Sequence, residues 1–83
     1  MEFYSDSPLD MFDCAEVLRD VQRYNYSIMH SSLYSEVELL INKLYQTANY
    51  IIRGYSFPKE DLRKLADWYD DVVCRLAEMD IAV

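Results

Sequence analysis

Glycine occurs once in the 83 residues and proline twice. Folds built from many short strands need tight turns, and tight turns need those residues, so a sandwich or barrel is excluded in favour of few, long elements. Histidine also occurs once, at His30, and the two cysteines, Cys14 and Cys74, show no framework spacing. That set is too small for a His/Cys metal site. Gly54 stands alone, so there is no glycine-rich phosphate loop. No Ser/His/Asp or Cys/His arrangement can be assembled. Adjacent carboxylates such as Asp70 and Asp71 point about 100° apart on a helix and cannot act as an acid–base pair. No catalytic residue, cofactor or metal is expected, and the chain reads as non-enzymatic.

Basic charge is scarce. Eight Lys and Arg face fifteen Asp and Glu, for a net charge of −7. Residues 1–20 carry six acids and one base, residues 21–53 two acids and three bases, and residues 54–83 seven acids and four bases. Direct binding to nucleic acid or to an anionic membrane needs a basic face, and no run supplies one. No apolar stretch approaches the roughly 20 residues of a membrane span. The N-terminus lacks a basic segment followed by an apolar run, so no secretory signal is expected. A cytoplasmic protein with free thiols is the default.

What is present is helix. Hydrophobic residues make up 52% of the chain, ample for a core. Ser7 is a good N-cap, with Pro8 at the first helical position and Asp10 in the first turn. Met11, Cys14, Ala15, Leu18 and Val21 then share one face, and the pattern continues weakly to about residue 28. A second helix is expected over 35–53. Ser35 and Glu38 suit a capping box, and Tyr34 and Leu39 suit a hydrophobic staple. Val37, Ile41, Leu44, Ala48 and Ile51 form its apolar face, flanked by Leu40 and Ile52. Gly54 falls at the left-handed C′ position, with Tyr55 free to fold back on Ile51. A third helix is expected over 58–80, opened by Pro58, with Leu62, Leu65, Tyr69, Val72, Leu76 and Met79 at near-heptad spacing. Glu60 with Lys64 and Asp71 with Arg75 have the favourable order for side-chain pairs. Similar lengths and short joints predict a single all-α domain, an antiparallel three-helix bundle. The alternative is a long helical hairpin that completes its core as a dimer.

Function is sought on the faces left over. Asp10, Asp13, Glu16 and Asp20 fall within an arc of about 120° opposite the core face of the first helix. Leu9, Val17 and Tyr24 lie in or beside that arc, and Phe12 lies just past its edge. Carboxylates mixed with exposed apolar groups suit a protein-binding face, although the plain solvated side of a helix has the same phase. Acids three or four residues apart on a helix are about 5–6 Å apart, near the phosphate repeat of a nucleic-acid strand, so mimicry of nucleic acid is physically open. Leu39, Lys43, Gln46 and Tyr50 form a second stripe, on the outer face of the second helix. Cys14 reads as a core residue and Cys74 as an exposed thiol on the polar face of the third helix.

In small size, net acidity and a surface mixing tyrosine with carboxylate, the chain looks like phage-encoded inhibitors of host defence enzymes, such as anti-restriction or anti-CRISPR proteins. The resemblance is one of general type. It implies a partner with a basic surface, blocked by charge and shape without turnover. The alternatives are a structural, adaptor or chaperone-like subunit using an apolar helix face, self-association as a homodimer included, and a small-ligand bundle with a tyrosine-lined pocket.

Overall fold

The computed structural model describes residues 8–25 and 28–81, and those residues form three α-helices and no strand. Helix α1 spans Pro8–Tyr24, α2 spans Ser32–Ile52 and α3 spans Lys59–Glu78. They form an all-α three-helix bundle with extents of 38 × 18 × 18 Å. Cross-helix contacts fix the direction of α2 against α1. Gln22 meets Glu38 near the first joint, and Phe12 meets Tyr45 further along, so the two helices run antiparallel.

Pro8 opens α1 as its missing N–H predicts; the expected Ser7 cap lies outside the described residues. The helix ends at Tyr24, short of the expected 28. Both the backbone and side-chain N–H groups of Asn25 donate to the Val21 carbonyl, at 3.1 and 3.0 Å, and close the last turn. A continued helix would turn Met29 towards the core. The break instead buries Ile28 completely and leaves Met29 exposed.

The start of α2 corrects the capping-box reading. Ser31, not Ser35, is the N-cap: its backbone is extended and its Oγ accepts from the Leu33 N–H at 3.1 Å. Ser35 sits exposed inside the first turns, and Glu38 accepts from Gln22 Nε2 instead of capping. Leu39 faces solvent, so there is no staple with Tyr34. The reason is Leu33, four residues before Val37 on the apolar phase. Starting the helix earlier buries it.

The far end of α2 follows expectation. Gly54 has φ +91°, and its N–H donates to the Ile51 carbonyl at 2.9 Å, while the Tyr55 N–H donates to the Tyr50 carbonyl at 3.3 Å. This is a Schellman motif. Tyr55 folds back on Tyr50, not on Ile51, with ring centroids 4.6 Å apart. Pro58 is the N-cap of α3 and the helix begins one residue later than expected. It ends on a second Schellman motif, which sequence reasoning missed. Asp80 takes φ 61°, its N–H donates to the Ala77 carbonyl, and the Ile81 N–H donates to the Leu76 carbonyl, both at 3.0 Å. The turn seats Ile81 in the core.

The buried face of α1 is the expected set of Met11, Cys14, Ala15, Leu18 and Val21. From α2 it meets Val37, Leu40, Ile41, Leu44 and Ala48, and from α3 Leu62, Leu65, Tyr69, Val72 and Leu76. Leu40, expected as a flank, is fully buried, whereas Ile52 is exposed and Ile51 only half-buried. The core closes within one chain, so the dimer-completed hairpin is not the structure.

Leu44 and Leu65 are central to that core, and replacement of either by alanine is expected to destabilise the fold by about 2–5 kcal/mol; chemical denaturation measures it, and near-neutral values would contradict the packing described. The two helix ends make opposite predictions. A Cβ at Gly54 would touch nothing within 4 Å, so Gly54→Ala isolates the cost of the left-handed backbone, expected to be about 1 kcal/mol. Asp80→Gly relieves the same conformation and should raise the melting temperature.

Candidate functional site

The outer face of α1 is exposed along its length. Asp13, Glu16 and Asp20 are open to solvent, and Asp10 is half-exposed. Leu9 and Tyr24 lie among them, 72% and 76% exposed, and Val17 is exposed between. Arg23 Nη1 approaches Asp20 at 3.9 Å and partly offsets its charge. Phe12 does not join this face. It is half-buried, packs on the core margin and tilts against Tyr45 with centroids 5.6 Å apart. Its phase, just outside the arc, points towards α2.

Behind this face α1 is tied to α3. The Tyr69 hydroxyl of α3 hydrogen-bonds the Cys14 sulfur of α1. Burial pushes the Cys14 thiol up, Tyr69 opposes that as a donor, and the nearby charges of Asp10 and Asp13 raise it further. Burial also pushes Tyr69 up to about 12, helped by Cys14 and by Asp70. Asp70 acts on Tyr69 as its neighbour in sequence. Cys14 is a neutral core thiol, and Cys74 is exposed.

The second stripe is repositioned by α3. Leu39 is 62% exposed and Tyr50 is also exposed. Tyr50 stacks on Tyr55 and meets the Phe57 ring edge-on at 5.9 Å. Lys43, from the middle of the stripe, lines a cleft between α2 and α3. Phe57 and Trp68 are its aromatic lining residues, whereas the small-ligand alternative required tyrosines.

A polar clamp holds α2 to α3 beside that cleft. Glu36 Oε1 accepts from Trp68 Nε1 at 3.1 Å and pairs with Arg75 Nη2. The same Nη2 lies 2.9 Å from Asp71, the i,i+4 pair expected from sequence. Glu60 and Lys64 form no ion pair among the described residues. Arg75 Nε is buried without a hydrogen-bond partner among the described residues, while Nη2 serves both carboxylates. The Arg75 hydrogen bond holds the Glu36 carboxyl below its ordinary value, against burial and with help from Trp68.

Among the described residues no cluster of three or more His, Cys, Asp or Glu could hold a metal ion. Among the described residues no helix is long and apolar enough to cross a membrane. His30 is exposed in the first joint.

The clamp predicts a pH dependence. A carboxylate whose folded value is depressed stabilises above its unfolded value near 4.5, and that contribution is lost as pH falls through the folded value. Denaturation of Glu36→Gln should therefore match the wild type at low pH and fall behind it above about pH 5. Both side chains are about a third exposed, so a Glu36/Arg75 double-mutant cycle should give a coupling of only about 0.5–1 kcal/mol.

Comparison with protein-family models, curated proteins and solved structures finds no match to this chain.

Proposed function

We propose that this protein is a non-enzymatic protein-binding module that uses the outer face of α1 to engage a basic surface of another protein. The observation that carries the reading is the composition of that face. Asp13, Glu16 and Asp20 stand in solvent together with Leu9, Val17 and Tyr24. Three exposed apolar side chains among the carboxylates suit an interface, which joins apolar contact to charge complementarity. Carboxylates about 5–6 Å apart on one helix suit a row of lysines or arginines that otherwise grips phosphates. The inhibitor type fits this: an acidic helix seated in a nucleic-acid channel of a defence enzyme would exclude the nucleic acid without chemistry.

An adaptor role through α2 is the second reading. It is favoured by the exposure of Leu39 and Tyr50 on one stripe.

The two readings separate on charge. With a partner captured from the native host, titration should show binding that weakens steeply with salt and is abolished by Asp13→Lys with Asp20→Lys, while helix content stays unchanged. Leu39→Ala with Tyr50→Ala should leave that binding intact. Retention with the lysines and loss with the alanines would move the interface to α2.

A further inference from the structure

The α2–α3 cleft is a different feature from the outer face of α1, and it has the makings of a small-molecule site. Its volume is about 300 Å³, at the small end of ligand-binding clefts, which run from about 300 to 1,000 Å³. Lys43 and Thr47, one turn apart on α2, line it with Asp61, Lys64, Leu65 and Trp68 of α3 and with Phe57 from the joint between them. Thr47 and Leu65 are buried and supply the floor. The aromatic walls are held in place. Trp68 is tied through its indole N–H to Glu36, and Phe57 meets Tyr50 edge-on. A cleft with braced walls has less ordering to do when a ligand enters.

The charge of the rim selects the ligand. Lys43 and Lys64 bring two ammonium groups to one small opening in a chain of net charge −7. Asp61 supplies one carboxylate, so the rim carries a net +1. None of these three groups forms an ion pair among the described residues. Two cations over an apolar, aromatic-walled floor are complementary to a single anionic head on an apolar body. We propose that the α2–α3 cleft binds a small apolar monocarboxylate, with Lys43 and Lys64 holding the carboxylate and Phe57, Leu65 and Trp68 receiving the apolar part. The proposal goes beyond the binding role of α1 and shares no residue with it, so either can fail alone.

Trp68 is the only tryptophan, so it reports directly on occupancy. Octanoate serves as the anionic probe and octylamine as the cationic control of equal chain length. Emission of the full chain is excited at the red edge, where tyrosine does not absorb. Octanoate should change Trp68 emission saturably, and octylamine should not. Lys43→Met with Lys64→Met keeps the side-chain stems and removes the charges; both positions are exposed, so helix content should hold while octanoate affinity falls about tenfold or more. Asp61→Asn removes the one like charge on the rim and should tighten octanoate binding. The absence of a saturable response, an equal response to octylamine, or affinity untouched by the lysine replacements overturns the proposal. Weaker binding by Asp61→Asn counts against it in the same way.

Discussion

The close approach of α1 to α2 is the constraint on which the rest of the molecule depends. These two helices are the most tightly associated pair. Alanine at positions 15 and 48, fully buried, allows backbones to come near where larger side chains would hold them apart. The hairpin they make leaves one apolar trough, and α3 lies along it with leucines, Val72 and Tyr69. α3 packs less closely on α2 than α1 does. The space left at its N-terminal end is the cleft between Thr47, Leu65 and Trp68.

The polar contacts follow from that asymmetry. Between α1 and α2, apolar packing suffices, and the Gln22–Glu38 bond lies at the margin. Between α2 and α3, Glu36 collects both Trp68 and Arg75. Such a clamp adds little net stability, since both charges keep water contact and Arg75 Nε is left without a partner among the described residues. Its effect is to set the rotation of α3 and the orientation of Trp68. Positioning, more than strength, makes it relevant to the neighbouring cleft.

The surface is divided in charge by the same arrangement. The acids of α1 stand on its outer face, opposite the core. The lysines at 43 and 64 converge on the α2–α3 seam. A protein with a strong overall negative charge thus keeps one small basic opening. The two proposals thus assign opposite partners to the two surfaces, a basic macromolecular face to α1 and a small anion to the cleft.

The amino-acid sequence by itself determined the three helices, the buried face of α1, most of the buried faces of α2 and α3, and the glycine stop of α2. Those features depend on periodicity and on local backbone sterics, which are properties of neighbouring residues. It placed Asp13, Glu16, Asp20 and Tyr24 in solvent for the same reason. Only the tertiary structure decided where α1 ends and α2 begins, because Ile28 and Leu33 were drawn into a core whose shape needed all three helices. Phe12 turned inward for a similar cause, the presence of Tyr45 on a neighbour. The left-handed Asp80, stabilised by burial of Ile81, is likewise set by packing rather than by residue type. The cleft was the least legible feature of all. Asp61, Lys64, Leu65 and Trp68 do recur at helical spacing, but Lys43, Thr47 and Phe57 come from elsewhere in the chain. Their meeting depends on the rotation of one helix against another, which no local pattern encodes.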